Sequence, residues 1–266
     1  MLNIWRSLFG SSSRQTQPAA RRRRIDLGEA LPPYTLYAVG DVHGCLNELL
    51  AVETRIREDI VASEAPGLIV YLGDYVDRGP QSAGVLNHLS GPNNDKRMRR
   101  LPLCGNHDAI FAAFARDPAN HMEWIDHGGR QTMLSYGIDI DELLTRVRRR
   151  PDEVARVLQQ AIPARHLSFI DVLPISLRVG PFLFVHAGIR PGVALPDQTD
   201  EDMLWIREPF LSAGPQLPFT VVHGHSPVPE PDFGRSRIGI DTGAYGSGKL
   251  SVLKIANGVP SLLNPS

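Results

Sequence analysis

The sequence predicts an α/β protein, and three observations carry that prediction. Apolar runs at residues 35–39 and 68–72 flank a stretch of helical periodicity, a β-α-β unit that implies parallel neighbouring strands. The run Leu68-Ile69-Val70-Tyr71-Leu72 is apolar and β-branched, as in a strand buried on both faces. Beyond Asp171 the texture becomes short apolar runs broken by glycine and proline, which read as further strands.

Taken in order, residues 1–33 read as a flexible Arg-rich N-terminal tail and residues 34–266 as the folded domain. Residues 1–9 could make a short amphipathic segment for a membrane surface or a partner, with a frayed terminus as the plainer reading. Residues 10–18 form a linker, and Arg21–Arg24 reads as a solvated charge run. An acid-free, arginine-rich start also resembles a transit peptide, without other support. The first strand, 35–39, leads into an amphipathic helix over about 45–62, where Leu46, Leu49, Leu50, Ile56 and Ile60 recur at helical spacing. The strand 68–72 follows, then a short helix over 82–89 and a third strand at 99–103. Residues 109–166 are helical in pattern and are expected to form a cap inserted beside the sheet. Residues 172–179 and 181–185 flank Gly180 and fit a hairpin, and strands at 219–222, 237–240 and 250–255 complete the chain.

The 266 residues suffice for a large core, and 42% hydrophobic with 21% charged residues is ordinary for a soluble globular protein. The net charge of −1 hides an asymmetry: residues 1–24 hold six arginines and no acid. The remaining 22 basic and 29 acidic residues leave a body of about −7, so nucleic acid is not an expected partner. Cys45 and Cys104 alone make no disulfide framework and point to a reducing, cytoplasmic setting as small buried fillers. No run of about 18 apolar residues predicts a transmembrane segment, and the start lacks a secretory pattern.

One event recurs five times: a strand ends, a glycine allows a tight turn, and Asp, Asn or His is presented. The residues so placed are Asp41 and His43, Asp74, Asn106 and His107, His186, and His223 with His225. A single such residue is commonly a satisfied buried polar group, but packing does not explain five. Carboxylate, imidazole and amide oxygen without thiolate suit Mn, Fe or Zn. More than four ligands, with one carboxylate able to bridge, suggest two ions clamping a phosphoryl displacement.

The motifs Gly40-Asp-Val-His-Gly44, Gly73-Asp-Tyr-Val-Asp-Arg-Gly79, Gly105-Asn-His-Asp108, His186-Ala-Gly188 and His223-Gly-His225 resemble those of the metal-dependent phosphoprotein phosphatase family, in its bacterial and phage branch. That family lies within the calcineurin-like metallophosphoesterase superfamily, and the motifs keep its order over about residues 36–250. The resemblance implies a four-layer α/β/β/α metallophosphoesterase sandwich of two mixed sheets with flanking helices. It implies two divalent metal ions, Mn2+ first, with Fe or Zn as alternatives. Asp41, His43, Asp74, Asn106, His186 and His225 would be metal ligands, with Asp74 bridging. His107 would be the general acid, oriented by Asp77, and Arg78 and Arg207 would bind the substrate phosphate. His223 would stand behind the ligands; Asp241 reads as fixing the loop that faces the metals, ahead of a direct ligand role. His88, His121 and His166 read as ordinary helix or surface histidines, while His127 is a candidate for the site rim.

The implied activity is dephosphorylation of phosphoserine or phosphothreonine in protein substrates by a metal-activated hydroxide. Gly105-Asn-His-Asp108 departs from the family's usual Gly-Asn-His-Glu and resembles the related diadenosine tetraphosphate hydrolases. Dinucleoside polyphosphate hydrolysis is therefore the alternative, although those hydrolases commonly lack the aspartate at the position of Asp77. A non-catalytic scaffold acting through the arginine tail is the remaining alternative, and the complete ligand set argues against it.

Overall fold

The computed structural model describes residues 21–148 and 150–263. The amphipathic segment and linker expected over 1–18 lie outside the described residues, as does Arg149.

The β-α-β unit is built from β2 (Thr35–Val39), α1 (Leu46–Ser63) and β3 (Gly67–Tyr71), with β4 (Met98–Pro102) reached through α2 (Ser82–Ser90). β2 and β3 pair in parallel from Thr35↔Gly67 to Val39↔Tyr71, and β3 pairs in parallel with β4. Strand alternation decides which core each side chain joins. Tyr37, Val39, Ile69 and Tyr71 pack with Leu49, Val52, Ile56 and Ile60 of α1, while Leu36, Ala38, Leu68 and Val70 face the opposite sheet.

Between Asn106 and Val172 the chain is helical. α3 (Asn106–Arg116) is followed by single turns at Pro118–Asn120 and Met122–His127, then α4 (Gly129–Ser135), α5 (Ile140–Arg146), α6 (Pro151–Ala161) and α7 (Ala164–Val172). The Asp139 side chain caps α5 by accepting from the amides of Asp141 and Glu142, and Pro151 opens α6 where a missing N–H costs nothing.

The second sheet follows with β5 (Ser176–Val179) and β6 (Phe182–Val185), then α8 (Asp200–Trp205), α9 (Phe210–Ala213), β7 (Thr220–His223), β8 (Asp232–Gly234) and β9 (Arg237–Gly239). After α10 (Ala244–Ser247) the chain returns to the first sheet as β10 (Val252–Ala256) and β11 (Val259–Leu262). The first sheet runs β11-β10-β2-β3-β4, and the second, completed by β1 (Arg24–Asp26), runs β1-β5-β6-β7-β9-β8. Both are mixed. Leu36, Val70, Leu177, Phe182, Phe184, Val222, Ile238 and Leu253 interdigitate between them, each contributing about 1.5–3 kcal/mol through burial. Helices lie on the outer faces, so the expected four-layer α/β/β/α sandwich is the observed fold.

Several sequence expectations change, among them the strand β8, which the residues around 232–234 did not signal. Residues 172–175 do not extend the hairpin: α7 reaches Val172, and strand pairing begins at Ser176. β11 was not anticipated, although Asn257 and Gly258, both at positive φ, make the two-residue hairpin turn that an Asn-Gly pair signals. The tail does not extend to residue 33, because β1 pairs in parallel with the open edge of β5. Arg21–Arg24 is not simply solvated: Arg22 Nη1 donates to the carbonyls of Ile170 and Leu173 at the end of α7, at 2.7 and 3.3 Å. Arg24 donates to the Leu195 and Gln198 carbonyls at 2.7 and 2.5 Å and meets Asp200 at 3.3 Å.

Candidate metal centre

The parallel strands of both sheets deliver their carboxyl-end loops to one end of the sandwich, where α/β proteins place ligands. The loops are tied to one another by backbone bonds. The Val42 and His43 amides donate to the Asp74 carbonyl at 3.2 and 2.7 Å, and the Gly224 amide to the His186 carbonyl at 2.8 Å. His43, Asp74, Asp77, Arg78 and His225 all have φ between 42° and 74°, a left-handed conformation costing about 1–3 kcal/mol apiece. Asp108 holds part of that strain. Its carboxylate accepts from the amides of Asp74, Tyr75 and Gly105 at 2.8, 2.8 and 2.9 Å, capping α3 and pinning the Asp74 loop. Gly105 and Gly224 are required by close approach, since a Cβ on either would strike a carboxylate oxygen of Asp74 or Asp41.

Two sets of donor atoms result, each with its atoms within 4.8 Å of one another: His43, Asp74 and His107, and Asp74, His186 and His225. Asp74 belongs to both. Asn106 Oδ1 lies 2.7 Å from His186 Nε2 and 3.1 Å from His225 Nδ1. Asp41 falls outside both sets, its carboxylate accepting from the His225 amide at 3.0 and 3.2 Å.

Tautomers show what the cluster lacks. His43 Nδ1 lies 2.8 Å from the Val76 carbonyl and His186 Nδ1 lies 2.8 Å from the Leu72 carbonyl. A carbonyl only accepts, so each Nδ1 carries the proton and each Nε2 presents a lone pair inward. His43 Nε2 is buried without a hydrogen-bond partner. His186 Nε2 faces Asn106 Oδ1 and, at 3.5 Å, Asp74 Oδ1, so three acceptors converge. Such an arrangement is repulsive unless a cation sits among it.

The electrostatics agree. Burial, and then the charges of Asp241 and Asp74, push the Asp41 pKa well above the carboxylate range. Burial likewise raises Asp74, against the opposing charge of His107. Burial pulls His43 well below the ordinary imidazole value, His186 and His223 down to about 4, and His225 down to about 2. Imidazoles kept neutral beside carboxylates crowded by like charge fit divalent cations.

Beside the cluster stands a separate pair. His107 Nδ1 bonds Asp77 Oδ2 at 2.6 Å, and His107 Nε2 lies 3.0 Å from Arg78 Nη2. Burial lowers the His107 pKa, but the charges of Asp74 and Asp77 and the Asp77 hydrogen bond outweigh it, and the net shift is upward. Asp77 is held by the cap: Trp124 Nε1 donates to Oδ2 at 2.8 Å and Thr132 Oγ1 to Oδ1 at 2.7 Å. The Arg78 guanidinium lies 4.9 Å from the centre of the Tyr245 ring, whose edge meets His43. A cleft of ≈ 440 Å³ opens beside it, lined by Arg78, Tyr245 and the cap residues Ile125, His127, Arg130 and Gln131.

The remaining expected residues lie further out. Arg207 is exposed beyond Trp205, and its charge is felt at His225. His223 is buried against Phe210 with ring centres 5.0 Å apart, outside both donor sets. His127 does line the cleft rim. His88 and His166 are helix histidines as expected, each with partners: half-buried His88 joins a Glu53–Arg100–Tyr71 cluster, and fully buried His166 bonds Tyr136 and Asn87. Sequence reasoning missed Trp124, Thr132 and Tyr245. Trp124 and Thr132 reach the site from the cap, 47 and 55 residues from Asp77 in the chain, and no local spacing marks them.

Comparison with known proteins bears on most of the chain. Residues 34–252 match the calcineurin-like phosphoesterase family. The Bacillus subtilis protein named asymmetrical bis(5'-nucleosyl)-tetraphosphatase is 27% identical over 235 residues, covering 80% of this chain and 87% of that protein. A symmetrical bis(5'-nucleosyl)-tetraphosphatase of Salmonella paratyphi B is 34% identical over 119 residues, covering 43% of this chain and only 36% of that protein. Among solved structures, a candidate diadenosine tetraphosphatase superposes with a TM-score of 0.60 at 20% identity over 91% of this chain and 97% of that one, a likeness of fold.

Proposed function

The chain belongs to the calcineurin-like phosphoesterase family and is a metal-dependent phosphoesterase; from that premise we propose that it hydrolyses dinucleoside polyphosphates, with diadenosine tetraphosphate as the type substrate. The observation that carries this reading is the Bacillus subtilis relative, a dinucleoside tetraphosphatase by name, aligned over 80% of this chain and 87% of its own length. Asp108 in Gly105-Asn-His-Asp108 agrees with it, and so does a cleft beside Arg78 with room for the part of a substrate beyond the scissile bond. Protein phosphoserine or phosphothreonine dephosphorylation is the second reading, favoured by the intact Asp77–His107 pair.

Two divalent ions, Mn2+ in the first instance, would be held by Asp41 and His43 on one side and by Asn106, His186 and His225 on the other, with Asp74 between. When bound, they supply Lewis acidity toward the phosphate and lower the pKa of water. Everything else falls to the chain. Asp77 fixes the His107 ring with the proton on Nδ1, and its charge favours protonation at Nε2 as well. Protonated His107 then donates from Nε2 to the leaving oxygen. A protonated Nε2 no longer accepts from Arg78, which is released to the phosphate oxygens that its fork matches. Arg207, on the exposed rim near His225, adds positive charge for an incoming polyanion. His223 packs behind the ligands and touches no substrate atom.

The experiment is a comparison of kcat/KM on diadenosine tetraphosphate and on a phosphoserine peptide with one Mn2+-loaded preparation. Preference for the dinucleotide by at least tenfold is the expected result. A preference of that size for the peptide would replace this reading with the second.

A further inference from the structure

Asp241 follows β9 at the same end of the sandwich and is 1% exposed. Its position is fixed twice over. The backbone carbonyl accepts from the Val228 amide at 2.9 Å, and Oδ1 accepts from the Gly243 amide at 2.9 Å. Oδ2 is a different matter: it is buried and has no hydrogen-bond partner, alone among carboxylate oxygens of the described residues. A buried acceptor in that state costs free energy until a donor or a cation meets it.

The surroundings say which. Asp241 packs beside Gly40, where an added Cβ would lie 3.6 Å from the Asp241 Cα, so it adjoins Asp41. Its charge acts on Asp41, and the charge of Asp74 acts on it. Asp241, like Asp41, falls outside the two tight donor sets, and His43 Nε2 is a further buried atom of the site without a hydrogen-bond partner. A loop anchor would need Oδ1 alone, and an aspartate is a costly choice for that duty beside two other buried acids.

We infer that Asp241 is a third carboxylate of the metal centre, adding a hard anionic oxygen on the side where Asp41 and His43 would hold an ion. The inference rests on the metal-dependent reading above. It gives that side three oxygen-bearing or nitrogen-bearing residues besides the bridging Asp74, two of them carboxylates. Such a donor set favours a hard ion, Mn2+ or Mg2+, over Zn2+. Asp241 acts on the ion, not on substrate.

The test is isothermal titration of the metal-free full chain with MnCl2 and separately with ZnCl2, for wild type, Asp241→Asn and Asp241→Ala. Asparagine keeps the acceptor for the Gly243 amide and removes only the charge. The expected result is that wild type takes up two Mn2+, that Asp241→Asn weakens one of the two sites by about 10–100-fold and leaves the other unchanged, and that the loss is smaller for Zn2+. The melting temperature of the metal-free protein is expected to be no lower for Asp241→Asn than for wild type. Mn2+ binding by Asp241→Asn equal to wild type overturns the inference. So does a loss confined to Asp241→Ala and accompanied by a lower melting temperature, which marks a loop anchor. A wild type that binds no Mn2+ overturns the metal-dependent reading itself, and the two failures are therefore distinguishable.

Discussion

At the scale of single residues, His107 stands between Asp77 and Arg78, and the proposed chemistry turns on that arrangement: protonation of Nε2 would release Arg78 to the phosphate. His107→Asn is expected to lower kcat on an alkoxide-leaving substrate by about 10²–10⁴-fold, the usual worth of a positioned acid. Stopped assays at saturating substrate check this, and near-normal turnover would remove His107 from that role. Arg78→Ala is expected to raise KM as well as to lower kcat, because in the proposed role Arg78 would meet phosphate before and during the transfer. The separate measurement of the two constants decides it. That His43, Asp74, Asn106, His186 and His225 come together was legible in the sequence, since each lies in a loop that directly follows a strand and carries a glycine. Asp241 was legible as a loop anchor first and a direct ligand second, because a free carboxylate oxygen is a fact of packing.

At the scale of elements, the cap and the sheet are welded at Asp77. Trp124, from the turn Met122–His127, and Thr132, from α4, supply two of its hydrogen bonds. Trp124→Phe keeps the buried ring between Phe111 and Phe114 and deletes the donor. It is expected to lower kcat several-fold while moving the melting temperature little, a split that kinetics and calorimetry together reveal. α7 offers a second test. Burial, aided by the Arg165 charge, lowers the His166 pKa to about 4, against an ordinary value near 6.5. Between those values the unfolded chain binds the extra proton, so this contribution to stability is full above about pH 6.5 and is lost as pH falls toward 4. His166→Gln is expected to flatten the pH dependence of urea unfolding in that window. Helical periodicity located the cap, but which helix face meets Asp77 is set by tertiary packing and left no mark in residue spacing.

At the scale of the whole molecule, two mixed sheets aim their loops at one another, and the amino-terminal arginines strap the second sheet to the helices around it. Arg24→Ala removes charged hydrogen bonds to three carbonyls and to Asp200 and is expected to cost about 1–3 kcal/mol of stability, measured by urea unfolding. The strap was not legible, because a run of arginines carries no pattern that separates a solvated tail from a clasp on helix ends. The sandwich was legible because each buried strand reads as an apolar run with its own terminating turn. No helix among the described residues is long and apolar enough to cross a membrane. The ion centre and the dinucleotide are tested together by chromatographic analysis of diadenosine tetraphosphate after incubation with the Mn2+-loaded chain, with the chain stripped by chelator, and with the stripped chain resupplied with Mn2+. Conversion to smaller nucleotides is expected in the first case, none in the second and recovery in the third. Conversion that survives chelation, or intact dinucleotide beside a preparation that turns over a phosphoserine peptide, would contradict the proposed function.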